Sequence, residues 1–212
     1  IGWTEEGEAI LAYRFPMADM EIQYGAQLTV RESQKAVFVN EGEVADVFGP
    51  GRYKLVTKTI PVLTGLRNWD KLFESPFKSD VYFFSTRLKV DQKWGTTNPI
   101  TIRDQDFGAV RMRAFGIYSY RIDDPKLFHA RVSGTRELYT VDDLAGQLRS
   151  MVVATITDLF GESKVPFLDL AAQQDALAER LRERLGPGFA ELGLELAGFV
   201  IGIIALIVAG IG

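Results

Sequence analysis

The sequence predicts an α+β fold with a β-rich first part and an αβ second part. Strand-like segments follow one another up to residue 122, an Asp-Asp-Pro tripeptide at 123–125 marks a change of character, and helical periodicity dominates beyond it. Of the 212 residues, 47% are hydrophobic, which is enough apolar material for a sizeable core. We therefore divide the chain into residues 1–122 and residues 123–212.

The first part alternates between apolar, β-branched segments and turn-forming residues. Gly42 and the Gly49-Pro-Gly51 tripeptide mark turns, and their spacing is typical of antiparallel hairpins. The strands that we predict span residues 9–15, 27–39, 44–48, 53–57, 80–85, 87–90 and 110–122.

Two helices are predicted directly after the change of character. Asp124 followed by Pro125 is a favourable N-cap and first-turn pair, so we expect a short helix that ends at Arg131. Thr140 and Asp143 have the spacing of a loose capping box. Apolar residues then recur at helical intervals as far as a glycine that is suited to end the helix.

A third helix is predicted from about Gln173 to Leu192, and Pro187 is expected to kink or break it. Its charged face is our candidate oligomer contact, which consists of Glu179, Arg180, Glu183 and Arg184. Opposite charges in register between subunits would favour such a contact. The other interpretation is an ordinary solvated helix face, and the sequence leaves both open.

The stretch from Leu66 to Phe84 contains the candidate membrane contact. It has no clear period and combines aromatic rings with cations, a composition that suits a lipid headgroup interface. The residues that we single out are Trp69, Lys71, Phe73 and Phe77. The alternative is that these rings fill the core or an oligomer interface, because buried aromatic residues are commoner than exposed clusters.

Charge and composition exclude several classes of function. With 24 basic and 28 acidic residues the net charge is −4, so the chain lacks the positive excess that drives nucleic-acid binding, and we expect no nucleic-acid partner. Cysteine is absent and His129 is the single histidine, which removes thiolate nucleophiles, disulfides and Cys/His zinc sites. We therefore predict no catalytic residue, no cofactor and no metal site, and we interpret His129 as a structural residue.

Two fragments look like functional motifs but lack the context that those motifs need. Gly49-Pro-Gly51 is not followed by the Lys-Ser/Thr of a phosphate-binding loop, and we interpret it as a turn. Asp104 and Asp106 could bind a cation weakly, but we interpret them as turn-capping carboxylates.

Several segments occur in an order that is specific to one domain family. They are residues 25–34, 36–39, 46–53, 75–78, 93–96, 99, 113–116, 124–125, 168–171 and 193–196. Together, over roughly residues 3–200, they resemble the SPFH (Band 7) domain family and, within it, the bacterial virion core protein-like branch.

The resemblance implies an SPFH domain whose β-rich first subdomain is followed by a second subdomain of helices on a small sheet. It implies a non-enzymatic scaffold that forms homo-oligomeric rings or cages at a membrane surface and organises integral membrane proteins. This branch is linked to membrane-stress machinery of the phage-shock protein A type, so we expect recruitment of such proteins. The expected location is cytoplasmic and peripheral, on the inner face of the cell membrane. The alternative is a soluble adaptor that holds a partner without contacting lipid.

The end of the chain departs from the family pattern. From Leu196 to Gly212 there is no charged residue, and the β-branched composition favours a buried strand over a membrane span of this short length. The resemblance places that strand from Phe199 to about Leu206. For the residues after it two interpretations stay open, a genuine hydrophobic tail or residues that stand in for the natural ones. Because the chain begins at Ile1 rather than at methionine, we expect it to be a fragment.

Overall fold

The fold is seen in a computed structural model that describes residues 1–17, 25–40, 42–55, 79–162 and 164–207. The strands within these ranges are β1 (Ile10–Arg14), β2 (Gln27–Val30), β3 (Gln34–Asn40), β4 (Glu43–Phe48), β5 (Gly51–Lys54), β6 (Ser79–Ser85), β7 (Lys89–Gly95), β8 (Ile100–Asp104), β9 (Gly108–Ile122), β10 (Leu138–Thr140) and β11 (Leu194–Ile207). The helices are α1 (Pro125–Phe128), a π-helical turn at His129–Ser133, α2 (Val141–Glu162), α3 (Phe167–Ala172) and α4 (Gln174–Glu191). Nine of these strands precede the first helix, and the mixed content confirms the predicted α+β class.

The chain forms two compact units. The first consists of Ile1–Arg87 and Ile122–Asp143, and the second consists of Leu88–Arg121 and Leu144–Gly212. Each unit takes chain from both sides of residue 123. The compact units are therefore bounded differently from the division into residues 1–122 and 123–212 that the change of character predicts.

The first unit is built on an antiparallel sheet. Its strands lie in the order β10-β1-β6-β3-β4, and β2 pairs with β5 in a separate antiparallel pair. In β2 alternate side chains point inward, so Leu28 and Val30 are buried while Gln27 and Thr29 are exposed. The central strands β3 and β6 are buried along almost their whole length. Trp3 and Phe83 pack in the same core.

In the second unit, β9 is the strand to which the others pair. β7 is antiparallel to residues 115–120 of β9, β8 is antiparallel to residues 108–112, and β11 is another neighbour of β9. One face of β9 packs against α4, where the rings of Tyr118 and Phe189 meet edge to face with their centroids 6.0 Å apart. The predicted strand near the end of the chain is confirmed as part of β11.

Of the kink or break predicted at Pro187, the break is wrong, since α4 continues to Glu191. Leu181, Leu185 and Phe189 recur every fourth residue on either side of the proline, and all are buried. Proline removes one backbone hydrogen bond from the helix. Burial of one continuous apolar face offsets that loss, because tertiary packing contributes more to helix stability than local propensity does.

Candidate functional site

The candidate oligomer contact lies on the solvent side of α4. The buried side holds its apolar residues, Leu177, Leu181, Leu185 and Phe189. Glu179, Arg180, Glu183 and Arg184 are all exposed between them. The helix thus brings the predicted residues together on one rigid element, and their role in an oligomer contact stays a prediction.

Ion pairs within the chain use part of this charge. The guanidinium of Arg184 lies 2.7 Å from a carboxylate oxygen of Glu162 on α2, and that of Arg182 lies 3.5 Å from a carboxylate oxygen of Glu179. Both pairs are exposed, so each stabilises the fold little. Within the described ranges, Arg180 and Glu183 have no ion-pair partner, which makes them the charges of this face most available to another molecule.

The candidate membrane contact is Trp69, Lys71, Phe73 and Phe77. These residues lie outside the ranges that the structure describes. Their contact with lipid stays a prediction.

Asp104 is a turn-capping carboxylate, as the sequence indicated. Its Oδ1 accepts the backbone N–H groups of Asp106 at 2.8 Å and Phe107 at 3.1 Å, and its Oδ2 accepts that of Phe167 at 2.7 Å. The bond from Phe167, followed by the other two, lowers the pKa of Asp104. Both carboxylate oxygens therefore serve the backbone of the turn and of α3. In the described part of the chain, no group of three or more metal-ligating side chains comes together.

His129 packs as a buried aromatic residue in the π-helical turn. Its ring centroid lies 4.5 Å from that of Tyr82 and 6.3 Å from that of Phe84. Burial lowers the pKa of His129, and the charge of Asp80 opposes this shift without reversing it. The imidazole is therefore neutral at physiological pH, in agreement with the structural role that we predicted.

The Gly49-Pro-Gly51 segment is a turn, as predicted. It joins β4 to β5, and the hydroxyl of Tyr53 donates to the carbonyl of Gly49 at 3.0 Å. Gly51 has a φ of 151°, a value that glycine adopts without strain.

The second unit contains an open groove of about 760 Å³ along β7 and α2. The ionisable residues that line it are Lys93 and Arg149, and Trp94 and Ser150 also line it.

The outer face of the sheet in the second unit is a surface that the sequence analysis did not single out. Along β9, residues Arg111, Arg113, Phe115 and Ile117 alternate with buried or half-buried ones and point away from α4. These residues recur with a period of two inside a predicted strand, but the period alone does not show that this face is the exposed one. Among the described residues, no helix is long and apolar enough to cross a membrane.

Comparison with known proteins defines the class to which this fold belongs. The family model described as "SPFH domain-Band 7 family" matches residues 12–208, and the chain belongs to that family. Its members are generally membrane-associated scaffolds and are generally not enzymes.

One particular relative is the protein described as "Uncharacterized protein YdjI" from Bacillus subtilis (strain 168). The two sequences are 26% identical over 203 residues, which make up 95% of this chain and 62% of the relative. The chain therefore spans less than two thirds of the length of the relative that it matches.

Proposed function

We propose that this chain is a scaffold domain that assembles with copies of itself at a membrane surface and there recruits other proteins. Membership of a family of membrane-associated scaffolds supports the general part of this proposal. The observation that carries self-assembly is the solvent side of α4, where Arg180 and Glu183 are exposed and unpaired within the described chain.

The helix is suited to a specific subunit contact because its charges are held in fixed positions. Leu181 and Leu185 anchor it on the side opposite to Arg180 and Glu183. Opposite charges on a rigid element set the orientation and register of a partner more than they raise affinity. A ring or cage needs a contact between two different surfaces of neighbouring subunits, and the charged side of α4 would supply one of the two.

The finer part of the proposal concerns branch, partners and location. The segments at 25–34, 46–53 and 113–116 resemble the bacterial virion core protein-like branch and support assignment to it. On that basis the recruited proteins are membrane-stress proteins of the phage-shock protein A type and integral membrane proteins. The scaffold is then peripheral, on the cytoplasmic face of the cell membrane.

A soluble adaptor without lipid contact is the second candidate function. The observation that favours it is the open groove along β7 and α2, where the lining residues Lys93 and Arg149 would suit an acidic chain segment. Flotation with vesicles, with and without a partner protein, separates an adaptor from a scaffold that binds lipid itself.

The test of self-assembly is a charge exchange on α4. In the variant Arg180→Glu/Glu183→Arg, net charge and helix-forming residues are kept while the pattern of charge is reversed. If this side of α4 is a subunit contact, the wild-type chain forms particles of many copies of 23.6 kDa, and the variant forms smaller ones. Light scattering coupled to size-exclusion chromatography measures the mass.

A matched control exchanges charges elsewhere in the chain. Glu43→Lys/Lys126→Glu also keeps the net charge and changes two exposed residues of the first unit, so it is expected to leave particle mass unchanged. A wild-type chain that stays monomeric at every concentration would contradict self-assembly. A large wild-type particle whose mass the exchange on α4 does not change would move the contact to another surface.

A further inference from the structure

The outer sheet face of the second unit exposes apolar side chains from three neighbouring strands. Phe115 on β9 is 47% exposed, Val90 on β7 is 48% exposed, and Val200 and Ile204 on β11 are 56% and 59% exposed. Single exposed apolar residues are ordinary on a protein surface, whereas a contiguous patch indicates a contact.

The patch is contiguous across the strands. Val90, Ile117 and Val200 line the same shallow depression of about 160 Å³. The ring of Phe115 covers Gly202 of β11, where a Cβ would lie 2.9 Å from the ring carbon Cζ. Apolar side chains of β7, β9 and β11 therefore form one surface rather than scattered positions.

Cations occupy the same face beside the apolar patch. Lys93 pairs in register with Ile117, and Thr101 with Arg111, so these pairs share a face of the sheet. Arg111 and Arg113 are exposed, and in the described ranges neither has an ion-pair partner. This face is therefore locally positive, although the net charge of the whole chain is −4.

Acidic groups on these strands do not cancel that charge. Glu195 on β11 is exposed and is held by Arg121, whose Nε lies 2.5 Å from its carboxylate. Asp91 lines the same depression as Val90 and Val200, beside Ser119, which is six residues along β9 from Arg113. The region of Arg111 and Arg113 therefore stays positive.

We infer that the outer sheet face is the surface with which this chain docks on an anionic lipid bilayer. Phe115, Val200 and Ile204 enter the boundary between headgroups and acyl chains, and Arg111 and Arg113 bind lipid phosphates. This inference rests on the proposed membrane scaffold and deepens it by naming the surface in contact with lipid.

Charge argues for a lipid surface over a second copy of the same face. In a symmetric contact between two copies, a face made positive by Arg111 and Arg113 would meet a second face of the same charge, and like charges oppose association. An anionic bilayer satisfies both the apolar patch and the cations. Each cation near such a surface raises the partition coefficient about fivefold at moderate salt.

Vesicle sedimentation of the full chain tests the inference. The probes are vesicles of phosphatidylcholine alone and of phosphatidylcholine with phosphatidylglycerol, at low and at high salt. The variant Arg111→Glu/Arg113→Glu is expected to lower the partition onto the anionic vesicles by at least about twentyfold, since two favourable cations are replaced by repelled anions. Wild-type binding is expected to weaken with salt and to be slight on phosphatidylcholine alone.

Two further variants keep the result interpretable. Lys126→Glu/Lys164→Glu makes the same change in net charge at exposed positions outside β7, β8, β9 and β11, and it is expected to bind within about twofold of the wild type. Val200→Ser/Ile204→Ser removes apolar contacts without changing charge, and it is expected to weaken binding at high salt as well as at low salt. Circular dichroism establishes that each variant is folded.

Three results would contradict the proposed contact between the outer sheet face and lipid. Equal binding of anionic vesicles by the wild type and by Arg111→Glu/Arg113→Glu overturns this inference and leaves the membrane scaffold standing with a different contact. Loss of particle mass without loss of vesicle binding makes the face a subunit contact and also overturns it. If the wild type assembles but binds neither vesicle, the lipid contact fails while self-assembly stands.

Discussion

Gly116 on β9 lies directly against the backbone carbonyl of Val200 on β11. A Cβ at residue 116 would fall far inside the contact distance of that oxygen and 3.1 Å from Nε1 of Trp94. The carbonyl belongs to a paired strand and the indole is buried, so neither can move aside without disrupting the sheet. This contact gives a physical reason for the glycine in the segment 113–116, a segment that the sequence alone marks only as part of a family resemblance.

The substitution Gly116→Ala is therefore expected to lower the free energy of unfolding by about 3 kcal/mol, at the upper end of the usual cost of overpacking. Denaturant titration measures it. Gly146→Ala is the control, because a Cβ at that exposed position of α2 meets no atom within 4 Å. Alanine there is expected to raise the free energy of unfolding by about 0.5–1 kcal/mol through helix propensity. Equal stability of the wild type and Gly116→Ala would show that β9 and β11 do not approach as described.

Elements whose determinants lie within a few residues were predictable. Thr140 and Asp143 form the expected capping box: the backbone N–H and the hydroxyl of Thr140 donate to Oδ2 of Asp143 at 2.8 and 2.9 Å, and the N–H of Asp143 lies 3.3 Å from the Thr140 hydroxyl. These bonds form between residues three apart. Local sequence therefore determined the start of α2.

Elements that depend on distant residues were missed. β10 is three residues long and exists because it pairs with β1, where Tyr139 lies opposite Ala12. The start of α3 is tied by Phe167 to Asp104, 63 residues earlier. A single sequence contains no signal for such partners, and the bounds of the compact units depend on the same kind of contact.

The candidate surfaces divide in the same way. The charged side of α4 was predictable because helical periodicity separates Arg180 and Glu183 from the buried leucines. The outer sheet face was missed although β9 lay in a predicted strand. Both of its faces carry apolar residues, for example Ala114 inward and Phe115 outward, so alternation alone does not tell which face is covered.

The carboxylate of Asp104 is expected to stabilise the second unit in a pH-dependent way. In Asp104→Asn one acceptor oxygen is replaced by an NH₂ group, so at least one backbone N–H, that of Asp106, Phe107 or Phe167, faces a donor instead of an acceptor. The melting temperature at neutral pH is expected to fall. Asp106→Asn removes the same charge from an exposed position nearby and serves as the control.

The sign of the pH effect follows from the lowered pKa of Asp104. A lowered pKa in the folded chain gives stability that is present above the unfolded-state pKa of about 4 and is lost as pH falls through the folded-state value. The difference in melting temperature between the wild type and Asp104→Asn should therefore be largest at neutral pH and should shrink in acid. A constant difference at all pH values would mean that hydrogen bonding to the ionised form does not contribute.

Stability of the first unit is expected to decrease at mildly acidic pH because of His129. Its pKa is lowered by burial next to Tyr82 and Phe84, so below pH about 6.5 the unfolded chain binds a proton that the folded chain does not. The contribution of His129 to the free energy of unfolding is therefore constant above pH about 6.5 and decreases as the pH falls towards the folded-state pKa. His129→Phe keeps an aromatic ring in the same surroundings but cannot bind a proton. Denaturant titrations between pH 8 and pH 5, on both sides of about 6.5, measure the free energy of unfolding. We expect this free energy to depend less on pH in His129→Phe than in the wild type. Identical pH profiles for the two proteins would mean that the folded chain binds the proton as readily as the unfolded one, and His129 would then not be held neutral by its aromatic neighbours.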